Sequence, residues 1–347
     1  MKKDKNRILK IILFVSFFTC LILSGCGRFF DVNDLEKANK TYNPNSDDTI
    51  ISVGVSQVGS ESVWRTANTA SIQDAISRIN GYFLIFDNAR QKQENQIKAI
   101  RSFISRQVDY IVFSPITETG WDTVLQEAKD AGIPVILMDR QVDVSDESLY
   151  TAWVGSDFYE EGKKAGEWLE EYEIKHSDVS ENTLNIVVLK GTEGSSSVIG
   201  RTDGFYDIAK EHENWNILAS VDADYTTARA EEEMTELLQK YDDIDVVVSQ
   251  NDDMTFGAIE AIKEAGLTPG IEGDVVLISF DATRAALELV RQGIIGVDVE
   301  CNPLLGASVS EIIKAHERGG GYSKLTYVSE MSFTIDNVDQ YIENRTY

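Results

Sequence analysis

From Ile50 onward, short runs of apolar and often β-branched residues alternate with stretches in which apolar residues recur every three or four positions. The first kind of run predicts buried strands and the second amphipathic helices. Strands are expected at residues 50–55, 82–86, 110–113, 135–138 and 151–154, and a second series at 184–189, 217–221, 246–249, 275–280 and 294–299. Between them, Ile97, Ile100, Phe103 and Ile104 share one helical face, as do Ala258, Ile259, Ala261, Ile262 and Ala265 ahead of Gly266, a residue suited to ending a helix. A repeated βα rhythm predicts parallel sheets covered by helices on both faces, and two series predict two α/β lobes. Residues 150–155 are expected to form a hinge strand between the lobes. No Pro/Gly-rich linker marks that boundary, which suggests several crossings of the chain. After a helix at 304–316, the run 324–335 reads as one more strand returning to a sheet already built.

The first 25 residues have a different pattern. Lys2, Lys3, Lys5, Arg7 and Lys10 form a basic head, and residues 11–24 form an apolar run short for a membrane span. This is the pattern of a secretion signal. It ends in Leu23-Ser24-Gly25-Cys26, which resembles the lipobox of bacterial lipoproteins and implies a lipid on Cys26. Two or more acyl chains there would hold the protein stably at a membrane. Residues 26–48 lack apolar periodicity and read as a tether with a reach of roughly 25 Å.

Composition narrows the function. The net charge of −26 moves to −30 when residues 1–25, with five basic residues and one acidic, are removed. Phosphate backbones are bound by clustered Lys and Arg, so nucleic acid is not an expected partner. Of the three cysteines, Cys20 lies in the leader and Cys26 would carry lipid, leaving Cys301 as a small buried apolar residue with no disulfide partner.

Candidate chemistry gathers where the predicted strands end. Asp139-Arg140 follows the run 135–138, at the carboxyl end where open α/β sheets bind ligands; alone, the pair is equally an ordinary ion pair at a strand terminus. Ser60-Glu61-Ser62-Val63-Trp64-Arg65 follows the first strand; Ser60 or Ser62 suits a helix cap and Trp64 a core position, but together these groups suit a sugar. Ser114 follows the third strand, Asn251 the run 246–249, Asp281 the run 275–280 and Glu300 the run 294–299, while Thr192 opens the loop leading to Arg201. Polar groups at nearly every strand end are what a polyol-lined crevice requires.

The segments SQVGSESVWR (56–65), RQKQENQIKAIRSFI (90–104), ETGWDTVLQEAKDAGIPVILMDR (118–140) and NDDMTFGAIEAIKEAGL (251–267) resemble the galactofuranose-binding proteins, within the ribose/galactose type of periplasmic sugar-binding proteins that serve ATP-driven importers. The resemblance runs from about Ile50 to Tyr347. It implies an α/β fold of the periplasmic-binding-protein type I class, two Rossmann-like lobes joined by three crossings, with one sugar between them. The expected divisions are a signal at 1–25, a lipidated tether at 26–48, one lobe from 49–153 plus 301–330, and the other from 154–300 plus 331–347. By the same resemblance, Ser60, Glu61, Trp64, Arg65, Asp139, Arg140, Arg201, Asn251 and Asp281 are the expected sugar contacts, with Tyr225 and Glu300 as further matches; Ser114 and Thr192 are further candidates from their places in the loops after strands. The sequence departs from the family at Val63, where glycine is common, and at Arg90, where a small residue is more usual.

The expected protein is thus a membrane-anchored, monomeric solute-binding component of an ABC importer, without cofactor or metal. An enzyme lacks its usual signatures here, since there is no glycine-rich phosphate loop or Gly-x-Ser-x-Gly elbow, and His176, His212 and His316 are scattered. A transcriptional regulator of the lac-repressor type would carry a basic helix-turn-helix where this chain has its leader. A sensory receptor would share the same pocket and anchor.

Overall fold

A computed structural model describes residues 50–175 and 183–347, so the leader, Cys26 and the tether lie outside the described residues, as does His176. The first sheet is built from β1 (Ile51–Gln57), β2 (Tyr82–Asn88), β3 (Tyr110–Phe113), β4 (Val135–Met138) and β5 (Ala152–Gly155). Helices α1 (Val63–Ala75), α2 (Gln93–Ser105) and α3 (Asp122–Asp130) connect the first four strands. The second lobe follows as α4 (Phe158–Lys175), β6 (Leu184–Lys190), α5 (Ser196–Ala209), β7 (Trp215–Asp222), α6 (Thr227–Lys240), β8 (Val246–Ser249), α7 (Asp252–Glu264), β9 (Val276–Asp281), α8 (Arg284–Arg291) and β10 (Val297–Glu300). The chain then returns to the first lobe with α9 (Gly306–Glu317) and β11 (Leu325–Tyr327), and ends in the second with β12 (Ser332–Phe333).

The strand orders are β11-β5-β4-β3-β1-β2 and β12-β10-β9-β8-β6-β7. All pairs in the first sheet are parallel, and in the second only β12 runs antiparallel, against β10. Parallel strands covered on both faces need uninterrupted apolar residues, which is why Val135, Ile136, Leu137 and Met138 are all buried. In both sheets the strand order reverses at the first strand of the lobe, β1 or β6. The adjoining carboxyl ends open the crevice where doubly wound sheets place ligands.

Two expectations are corrected. Residues 150–155 do not form a free hinge strand: β5 pairs with β4 and β11 inside the first sheet, and the division expected at 153/154 falls within it. The run 324–335 is not one strand. Its two ends pair with different sheets, β11 beside β5 and β12 beside β10, and residues 328–331 pass between the lobes. The three crossings are therefore residues 156–157, 301–305 and 328–331.

The lobes are closed on each other. Glu118 N donates to Gly194 O at 2.9 Å, Gln141 N to Ser196 Oγ at 2.9 Å, and Val63 N to Asp253 Oδ2 at 3.2 Å. The last bond uses an amide at the start of α1, one of the donors a helix N-terminus leaves unpaired. His212 stacks on Trp215 and His316 hydrogen-bonds Tyr110, so both described histidines serve aromatic packing.

Candidate functional site

The first lobe builds its half of the cavity as a chain of fixed charges. Ser62 caps α1 by accepting from Arg65 N at 3.0 Å, which sets the register of the first turn. Glu61 and Arg65, four residues apart, then meet at 2.9 Å. Arg65 reaches across to Asp139 Oδ2 at 2.7 Å and to Gln57 Oε1 at 3.3 Å. Ser114 Oγ donates to the same Asp139 oxygen at 2.8 Å, leaving Oδ1 as the carboxylate's remaining acceptor. Burial opposes the charge on Arg65, but Asp139 and Glu61 outweigh it and hold the guanidinium above its ordinary range.

Asp139 is also gripped through its backbone. Its N–H donates to Val154 O at 2.8 Å, its carbonyl accepts Trp153 Nε1 at 3.0 Å, and its φ is +62°. A left-handed aspartate immediately after a buried strand carries conformational strain of the kind found at ligand sites. Beside it, Arg140 donates to Ile116 O at 3.0 Å and lies 5.3 Å from the Tyr225 ring centre. Burial and the neighbouring Arg65 lower its pKa, and its Nε has no hydrogen-bond partner among the described residues. Glu61 Oε2 is likewise unpartnered. A donor and an acceptor are thus available at the wall of one cavity.

The second lobe answers with Arg201, on α5. Its Nε donates to Glu161 Oε2 at 2.6 Å, its Nη2 lies 3.5 Å from Asp281 Oδ1, and its Nη1 donates to Gln250 O. Burial pushes Asp281 well above the usual carboxylate range against the pull of Arg201. Asp281 and Tyr225 both have positive φ, +109° and +59°. Asn251 spends its side-chain oxygen capping α7 through Met254 N, leaving its amide N–H groups to other partners. Tyr225 OH lies 2.8 Å from Ser197 Oγ, and its ring packs where a Cβ on Gly191 would stand 1.9 Å from its Cζ.

These groups line one small cavity between the lobes. Of the residues expected at the site, Glu61, Trp64, Arg65, Asp139, Arg140, Arg201, Tyr225, Asn251 and Asp281 line it. Four do not. Ser60 is exposed and accepts from Asn88, and Ser114 stands behind Asp139. Thr192 gives its carbonyl to Ser195, while Glu300 is held by Arg345 and Tyr347. The reading by residue type missed Phe158, Ser197 and Cys301, which also line the cavity, and Glu161, which holds Arg201. Cys301 is buried as expected, against Trp64 and Phe158.

Guanidinium and carboxylate groups fixed in a closed cavity, with Trp64 and Phe158 as its apolar walls, suit a small polyhydroxylated solute. Fold and site together define a two-lobed solute-binding protein. The chain belongs to the periplasmic binding protein domain family, whose model matches residues 53–319. It is 38% identical over 299 residues to the galactofuranose-binding protein YtfQ of Escherichia coli, covering 85% of this chain and 91% of that protein. Among solved structures, a Mycobacterium smegmatis protein in complex with β-D-fucofuranose is 41% identical, with a TM-score of 0.81 over 86% of this chain and 95% of that one. The binding component of the arabinose ABC transporter from Shewanella sp. ANA-3, bound to α- and β-L-arabinofuranose, is 39% identical, with a TM-score of 0.78 over 85% and 95% of the respective chains.

Proposed function

We propose that this protein captures one monosaccharide in its furanose form between the two lobes and delivers it to an ABC importer. The observation that carries the reading is the closed cavity in which Arg65, Asp139 and Arg140 of one lobe face Arg201, Asn251 and Asp281 of the other. A sugar touching both sets binds the closed state better than the open one, and that difference in affinity drives closure. Charge-assisted hydrogen bonds contribute on the order of 1.5–3 kcal/mol each, so a few of them with aromatic contact reach the roughly −8 kcal/mol of micromolar binding. The furanose assignment is supported by the three relatives above, each named for or bound to a furanose. The importer role is supported in preference to a sensory one by the Shewanella relative, a component of an ABC transporter.

Calorimetric titration of residues 49–347 against galactofuranose, arabinofuranose, fucofuranose and their pyranose forms is expected to give one-to-one, submicromolar binding to a furanose. Absence of heat with every sugar would refute the reading. We also propose that Cys26 anchors the mature protein by lipid, supported by the basic head, the apolar run and the Leu23-Ser24-Gly25-Cys26 motif. Cys26→Ser is expected to move the protein from the membrane fraction to the soluble fraction. Unchanged partitioning would exclude the anchor.

A further inference from the structure

We propose that the hinge of this protein binds a second ligand, a proton, held on Glu330 beside Glu161 when the lobes are closed. The inference begins with the three crossings, which meet at one carboxyl group. Glu330 lies in the third crossing. Its Oε1 accepts from Ser156 Oγ of the first crossing at 2.6 Å and from Asn302 N of the second at 2.6 Å. Glu161, in the first turn of α4, stands beside it: one oxygen of each carboxyl group and the Cys301 sulfur all lie within 4.8 Å of one another. Glu161 is 1% exposed, with Oε2 taken by Arg201 and Oε1 unpartnered among the described residues.

The charges around this cluster do not balance. Glu161 and Lys164 face it from α4, Arg201 from α5, and Cys301 from the second crossing. Lys164 donates to the Glu330 backbone carbonyl at 3.3 Å and not to its carboxylate. Arg201 is divided among Glu161, Asp281 and the Gln250 carbonyl. Burial keeps the Cys301 thiol protonated and neutral. Two neighbouring carboxylates, Glu161 buried and Glu330 half-buried, therefore face Arg201, which Asp281 also draws on, and the more distant charge of Lys164, and like charges this close resist being ionised together. One proton on Glu330 removes the repulsion. Arg201 already fills the cationic position beside Glu161, so the cluster fits a proton better than a divalent metal. Burial, then Glu161, push the Glu330 carboxyl up to about 9.

The link to function rests on the reading that a sugar closes the lobes. As the lobes part, the crossings twist, Glu330, half-buried in the closed form, becomes more exposed to water, and its pKa falls towards the ordinary carboxylate value. Closure then takes a proton from solution. Because the raised pKa belongs to the closed form, the proton's contribution to sugar affinity is full at pH values below the open-form pKa and is lost as pH rises towards about 9. Within that window affinity falls by up to about tenfold per pH unit.

Calorimetry near neutral pH, with the furanose that binds, in buffers of different ionisation enthalpy reads this uptake directly. For wild type the heat should scale with buffer enthalpy and give up to about one proton per sugar. Glu330→Gln keeps an acceptor oxygen for Ser156 and Asn302 and presents an N–H where the proton would sit. It should bind with buffer-independent heat and a flatter pH profile. Buffer-independent heat in wild type would overturn the proposal, as would proton uptake that persists in Glu330→Gln. No heat with any sugar would instead overturn the binding reading and take this proposal with it, an outcome distinct from binding without proton uptake.

Discussion

Asp139→Ala should weaken sugar binding by about 30- to 5000-fold, the range that follows from 2–5 kcal/mol for truncating one partner of a buried, hydrogen-bonded charge pair. The side chain anchors two donors, Arg65 at 2.7 Å and Ser114 at 2.8 Å, and keeps one oxygen for a ligand. Its loss leaves Arg65, 3% exposed, with Glu61 as its remaining carboxylate partner. Alanine is also poorly suited to the φ of +62° at this position, so part of its effect is backbone strain. Asparagine tolerates that conformation. Asp139→Asn therefore isolates the charge, and it too should bind far more weakly while melting close to wild type. Wild-type affinity in Asp139→Ala would remove Asp139 from the site.

Arg201→Ala should abolish binding and also cost the fold about 3–5 kcal/mol, as expected when one partner of a buried ion pair is removed. Glu161 and Asp281, 1% and 4% exposed, would both lose their guanidinium partner, and the Gln250 carbonyl would lose a donor. Urea unfolding with and without sugar separates the two effects. Arg201→Lys retains a charge but not the planar fork that spans three acceptors, so it should recover stability in part and affinity little. An Arg201→Ala variant as stable as wild type would mean that these carboxylates are neutral without help from the guanidinium.

The difference between these two residues shows what the sequence makes legible. Asp139 sits at the end of four buried apolar residues, and that run alone places it at the mouth of a parallel sheet. Trp64 and Arg65 are placed in the same way by β1 and the capped start of α1. The partners of Arg201 carry no such mark. Glu161 follows Glu160 in a helix whose pattern reads as a charged surface, and only packing against α5, through the close approach of Gly162 to the Arg201 carbonyl, turns Glu161 inward. The left-handed backbones of Asp139, Tyr225 and Asp281 are likewise silent, because non-glycine residues there are selected against local preference. Ser60 and Glu300 were misplaced for a related reason: a residue's position after a strand fixes its neighbourhood but not the direction of its side chain. Residues 324–335 misled because Thr326, Tyr327, Val328, Ser332 and Phe333 all favour strands, while the passage between sheets at 328–331 has no proline or glycine to announce it.

The late return of the chain to the first lobe has a consequence for how the protein is made. Leu305, Val309, Ile312 and Ile313, at the start of α9 and along it, share one buried cluster with Val53 and Val55 of β1 and with Ile72 and Ile76, and β11 closes the sheet edge beside β5. A chain synthesised as far as β10 has every strand of the first sheet except its edge, but one apolar face of that sheet is only partly covered, by α1. Contacts separated by some 250 residues must form before either half is sealed, which makes folding slow and leaves incomplete chains sticky. Slow completion suits a polypeptide that crosses a membrane before it folds, since the segment able to lock its first half arrives last.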